Sequence, residues 1–181
     1  MGIILPKQVG TKEGKLLFQK SEKVKDFDKG REIVKSLKKT LEHYGGVGLA
    51  APQIGISQRV FVVNIVPTTD YPNLPKIGFR AYLNPEIFLK ISSEINKDAE
   101  GCLSIFYATV YGAVERASHV KVKYLDVNGR EQIEEVEHPF HSRVVLHEND
   151  HLDGKIFLQR MKPEDFPKLY WDKNLDIRKK N

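Results

Sequence analysis

Cysteine is nearly missing from this chain of 181 residues: Cys102 stands alone, so no internal disulfide can form. A lone thiol beside metal-binding side chains points to a reduced compartment, and the cytoplasm is the expected location. No apolar run approaches the roughly 20 residues needed to span a bilayer. The short Ile3-Ile4-Leu5 run ends at Pro6 without leading charges or a cleavage site, so neither a membrane protein nor an exported one is expected. Pro6 also occupies the place where a myristoylation signal needs Ser or Thr. A charge of one sign is lacking too. Twenty-nine basic residues are mixed with 24 acidic ones for a net +5, with basic runs only near Lys35 to Lys39 and Arg178 to Lys180. This is no footprint for DNA, although a mild attraction to a polyanion such as ribosomal RNA stays open. No internal repeat appears, and the length fits a single domain over 1–181 that buries about 70% of its unfolded surface.

What is present centres on Leu146-His147-Glu148-Asn149-Asp150-His151-Leu152-Asp153-Gly154. Residues four apart share a helix face, so His147 and His151 can direct their ring nitrogens at one cation. Glu148 sits roughly 100° further round, where its carboxylate reaches a water rather than the metal. Pro139 can open such a helix, Val144, His147, Glu148, His151 and Leu152 share a stripe, and Gly154 can close it. The alternative is a chance HExxH pattern with histidines that merely face a core.

Along the rest of the chain, residues 1–25 read as an irregular arm that wraps the surface. Ile33, Val34, Leu37, Leu41 and Tyr44 have helical spacing and predict an amphipathic helix from about Asp28 to Tyr44, ending at Gly45-Gly46. The run of small residues from Gly46 to Gly55 carries one amide, Gln53, and is either a tight helix-to-strand connection or a place of close backbone approach. Strand is predicted for Arg59 to Val66 and for Phe79 to Ile91, the latter interrupted at Asn84-Pro85, with a loop over 67–78 between them. Cys102 follows a glycine, where the backbone can bend and present sulfur to a metal; otherwise it is a small buried apolar residue. Val120 to Tyr124 and Arg130 to Val136 flank a turn signal and predict a hairpin. Lys155 to Leu158 reads as a short strand or turn, and the tail over 163–181 carries no legible pattern.

Set in order, GVGLAAPQ (Gly46 to Gln53), EGCLS (Glu100 to Ser104) and HENDH (His147 to His151) resemble the three motifs of the peptide deformylases. The resemblance extends from the first helix to about Met161. It implies an α+β fold in which antiparallel strands surround a central metal-binding helix, and a hydrolase that removes the formyl group from the N-terminal methionine of nascent peptides. It also implies roles. Cys102, His147 and His151 would be the metal ligands, Glu148 the general base and then acid, and the Gln53 amide with the Leu103 backbone N–H the oxyanion donors. Gly46, Val47 and Gly48 would line the substrate backbone, with Phe140, Val144 and Val47 as a methionine pocket; core packing is the other reading of those apolar side chains. Asp150 would sit behind the ligands, and Glu100 would pair with Arg116 or Arg143. By geometry a thiolate and two imidazoles suit Zn(II) equally well, while the resemblance points to Fe(II), with Zn(II) or Ni(II) able to occupy a purified sample. The expected partners are N-formylmethionyl nascent peptides and the ribosome surface.

Four positions depart from the family pattern: Phe106 where proline is usual after EGCLS and one further residue, Tyr111 where Arg is common, Leu146 for Gln, and Pro139 for Gly. None is a proposed ligand, base or oxyanion donor, so they bear on peptide binding and preference. Two other functions fit the same residues: a metallohydrolase acting on a different formamide or amide, and a non-catalytic homologue that binds nascent chains or ribosomes.

Overall fold

Strand β2 (Val60–Ile65) reads VFVVNI because both of its faces are covered. Val60 and Val62 point into a cluster with Ile33, Val34, Leu37 and Leu41, whereas Phe61, Val63 and Ile65 point into one with Val144, Val145 and Leu152. The two groups alternate, as the two-residue period of a strand requires. One helix therefore lies on each side of the strand: α1 (Phe27–Tyr44) and α2 (Pro139–Leu152). The computed structural model describes residues 2–69, 72–90, 93–172 and 174. Ile91, expected to end a strand, and the basic run Arg178 to Lys180 lie outside them.

Beside β1 (Gly48–Ala50), β2 and β3 (Gly78–Leu89) the five-stranded sheet contains β6 (Val120–Leu125) and β7 (Glu131–Val136), all neighbours antiparallel in the order β1-β2-β3-β6-β7. A second sheet has the order β4-β5-β8, from β4 (Ile95–Gly101), β5 (Val110–Ala117) and β8 (Tyr170–Trp171), again antiparallel. α2 runs between the two. Its apolar face meets the larger sheet, while Ser142 donates to the Ala117 carbonyl (2.7 Å) and Arg143 donates to the Val114 and Asn96 carbonyls (2.9 and 2.8 Å) of the smaller one. The expected α+β fold with strands around a central helix is what forms.

Local signals account for the helix limits. Asp26 caps α1 by accepting from the Asp28 and Lys29 N–H groups, and Gly45 ends it with φ 75°. Pro139 is the first residue of α2, His138 accepts from the Phe140 N–H through its ring, and Gly154 follows with φ 71°. Arg59 then ties the far end of α2 to β2, donating to Asp153 (2.7 Å), to the Leu152 carbonyl (3.2 Å) and to Asn149 (3.3 Å). A guanidinium at a helix C-terminus also meets the negative end of the dipole.

Several expectations change in detail. β3 continues through Asn84-Pro85, because the irregularity is absorbed as a register shift between Leu83 and Glu86, with Asn84 at φ 51°. The segment after Lys155 is neither strand nor simple turn but a 3-10 helix over Phe157–Arg160. The tail over 163–172 is ordered, as a 3-10 helix over Pro163–Lys168 followed by β8. The described part of the arm is irregular apart from a 3-10 helix over Glu13–Phe18 and a single parallel bridge between Glu22 and Gln58, and its buried Leu17 and Gln8 anchor it. Among the described residues no helix is long and apolar enough to cross a membrane.

Candidate active site

Three backbone segments deliver the site. α2 presents His147, Glu148 and His151 on its buried stripe, β4 runs out through Glu100-Gly101 into the turn that carries Cys102, and β1 leads into the 3-10 helix Ala51–Ile54 that carries Gln53. One ligand atom from each of Cys102, His147 and His151 lies within 4.8 Å of the other two, and all three residues are buried. Cys102 Sγ is 3.3 Å from His151 Nε2. A sulfur and two imidazole nitrogens so gathered fit a tetrahedral cation with one position left for water, given metal–ligand lengths of about 2.0–2.3 Å. His147 turns its other nitrogen, Nδ1, to Glu100 Oε2 at 2.8 Å, the orientation that leaves Nε2 for a metal. Burial and the neighbouring charge of His147 push the His151 imidazole down to about 3. For His147, burial opposes the charge, but the Cys102 sulfur and the Glu100 carboxylate outweigh it and hold the ring well above its usual value.

Behind the ligands stands a buried ionic network. Arg116 grips Glu100 with two nitrogens (2.8 and 3.0 Å) and reaches Asp150 with a third (2.7 Å). Arg143 adds a bond to Glu100 (2.8 Å), so both arginines named as alternatives pair with it. Burial would raise the Glu100 carboxyl, yet His147 and Arg116 hold it well below the ordinary range. Arg160 completes the set by donating to Asp150 at 3.0 Å. Nothing in the sequence near Arg160 marks it, because its partner is defined only by the fold.

Glu148 is 4% exposed, and among the described residues its Oε2 has no hydrogen-bond partner. Burial pushes its carboxyl up to about 7, with His147 pulling the other way. A carboxylate poised there suits proton transfer near neutral pH. Gln53 is oriented by the Ala50 N–H, which donates to Oε1 (2.8 Å), and this turns Nε2 toward Cys102 Sγ (3.5 Å) and Ser104 Oγ (3.3 Å). The turn after Cys102 is braced from the arm, since Gln8 donates to the Leu103 carbonyl (2.9 Å) and accepts from the Tyr107 N–H (2.8 Å). Phe106, Tyr107 and Ala108 all have positive φ, a left-handed turn that those side chains seldom adopt.

Of the residues nominated as ligands, base, oxyanion donors or substrate contacts, all but His151 line one cavity of about 390 Å³: Gly46, Val47, Gly48, Gln53, Cys102, Leu103, Phe140, Val144, His147 and Glu148. The fully buried His151 lies behind it. Val144 lines the cavity and also belongs to the core. Gly48 has to be glycine here. A Cβ would stand 2.6 Å from Glu148 Oε1 and 2.9 Å from Val144 Cγ1. Gly48→Ala is therefore expected to displace the Glu148 carboxylate and to lower turnover about 100-fold with bound metal unchanged. Metal analysis beside kcat checks this, and full activity in that variant would mean that the carboxylate position is not critical.

The polypeptide deformylase family matches residues 6–166. A peptide deformylase of Thermotoga neapolitana is 40% identical over 149 residues, covering 82% of either protein. Peptide deformylase 1 of Clostridium perfringens is 37% identical over 81% of this chain and 91% of its own. Among solved structures, the Met-Ala-Ser-bound class I type b peptide deformylase of Acinetobacter baumannii superposes with a TM-score of 0.75 at 35% identity, covering 89% of this chain and 100% of that one. The Thermotoga maritima peptide deformylase superposes equally, with a TM-score of 0.75 at 34% identity, covering 90% of this chain and all of the other.

Proposed function

Because the chain belongs to the polypeptide deformylase family, we propose that it hydrolyses the formamide of N-formylmethionyl nascent peptides, with Glu148 as the group that moves the proton. The observation that carries this is a gathered Cys102, His147 and His151 beside a buried carboxylate with a free oxygen. Glu148 takes a proton from the attacking water, whose oxygen bonds to the formyl carbon. The Gln53 amide and the Leu103 N–H stabilise the charge that develops on the formyl oxygen. Glu148 then hands its proton to the departing nitrogen as the C–N bond breaks, and formate and a free amino terminus leave.

Cys102, His147 and His151 would hold one divalent cation, natively Fe(II), with Zn(II) or Ni(II) able to take its place; bound there, it supplies Lewis acidity. Gly46, Val47 and Gly48 flank the peptide backbone. β1 and β4 are the end strands of their sheets, and residues of both line the cavity, so an extended peptide can pair with either edge. Phe140, Val144 and Val47 would receive the methionine side chain. The A. baumannii relative, bound to Met-Ala-Ser, supports a peptide in this groove. We place the chain in the cytoplasm as one catalytic domain that meets its substrates near the ribosome.

Protein loaded anaerobically with Fe(II) is expected to release formate from a short N-formylmethionyl peptide. Activity should vanish on chelation and return with Fe(II). Fully loaded protein that releases none would overturn the assignment and favour a different amide substrate.

A further inference from the structure

The two-residue strand β8 lies beyond the family match, which ends at residue 166, yet it contributes to the wall of the cavity. It pairs with β5 so that Tyr170 faces Tyr111 and Trp171 faces Val110. The Tyr111 and Tyr170 rings stack at 5.3 Å and 16°, and both line the cavity. Outside them Trp171 meets Phe106 at 5.1 Å and 57°. Tyr170 is 50% exposed, Trp171 and Phe106 58% each, a concentration of aromatic surface at the mouth of a reactive pocket. Isolated exposed apolar residues are ordinary, but a contiguous patch next to a site marks recognition.

The position of the stack limits what can reach it. Tyr111 is paired with Gly101, the residue before Cys102, and a Cβ on Gly101 would stand 2.3 Å from Tyr111 Cε1, so the ring lies directly on that backbone. Strands are spaced about 4.8 Å apart, which puts Tyr170 roughly 10 Å across the sheet from the Cys102 strand. An extended peptide advances about 3.3 Å per residue. Tyr111 and Tyr170 line the same cavity as Cys102 and His147, so for a chain that crosses this cavity with its formyl carbon at the ligands, the second and third residues are the ones within about 10 Å and able to meet the stack. Tyr111 and Tyr170 offer stacked rings to the cavity, a surface suited to apolar and aromatic side chains.

We propose that Tyr170, stacked on Tyr111, is a specificity-determining residue that makes this chain favour formylmethionyl peptides with an aromatic side chain at the second or third position. The inference rests on the deformylase reading of the site.

The test compares kcat/KM for formyl-Met-Phe-Ser and formyl-Met-Ser-Phe with that for formyl-Met-Ser-Ser. The native protein is expected to favour phenylalanine at one of the two positions by roughly 2- to 10-fold, expressed in KM, the range of one aromatic contact. Tyr170→Ala should erase that preference, and Tyr170→Phe should retain it. Thermal melts of both variants show whether the fold persists. Calorimetric binding of the products Met-Phe-Ser, Met-Ser-Phe and Met-Ser-Ser gives the same comparison without turnover. Formate release with equal ratios in the native protein and Tyr170→Ala overturns this inference alone, whereas no release from any peptide overturns the deformylase reading and this inference with it.

Discussion

Glu148→Gln is expected to lower kcat by roughly 100- to 10,000-fold, the range over which a positioned general base acts, while KM and bound metal stay close to native. The substitution keeps the shape of the side chain and removes only its capacity to take a proton. Glutamine also removes a carboxyl that the fold disfavours in its charged form, since burial, with the Glu100 charge and against that of His147, pushes it up to about 7. The metal-free variant should therefore melt no lower than the metal-free native protein, the usual trade of stability against activity at a working site. Steady-state kinetics, metal analysis and a thermal melt on one preparation test all of this. Residual activity within tenfold of native would assign the base elsewhere.

Arg116→Met should produce the largest loss of stability. Arg116 is 6% exposed and satisfies Glu100 and Asp150 together. Its removal leaves two buried carboxylates with fewer partners, and breaking a buried pair from one side costs about 3–5 kcal/mol. The effect should extend to the metal, because Glu100 orients His147, and losing such support typically weakens binding about 10- to 100-fold. Urea unfolding and metal titration measure the two consequences. A stability loss under about 1 kcal/mol would mean that Arg143 and Arg160 suffice to hold both acids.

The centre was legible in the sequence because its geometry is local. His147 and His151 are placed by the period of one helix, Pro139 and Gly154 mark its ends, and the glycine before Cys102 marks a bend. Gln53 was legible only through its motif, since the hydrogen bond from Ala50 that aims it exists only once the 3-10 helix has formed. β4 was not legible at all. INKDAEG is polar and mostly exposed, without the alternation that signals a strand, and it is extended because β5 pairs with it along seven residues. β8 fails for a related reason, as two residues hold no pattern and only their partners define them. The left-handed turn at Phe106, Tyr107 and Ala108 lacks the glycine that would announce it. Gln8 was missed because it acts on residues distant in the chain, and Arg160 because the end of α2 and the turn after it must form before it meets Asp150.

Gln8 and Leu103 are 95 positions apart, yet their side chain and carbonyl are joined, and the same glutamine receives the Tyr107 N–H. That amide is consequently protected from solvent exchange by a side chain rather than by a sheet or helix ladder. Its exchange is expected to follow local lifting of the arm rather than unfolding of the whole domain. The cysteine side of the centre is thus fastened from the opposite end of the chain to the histidines, and hydrogen exchange at the Tyr107 amide is expected to report on that fastening.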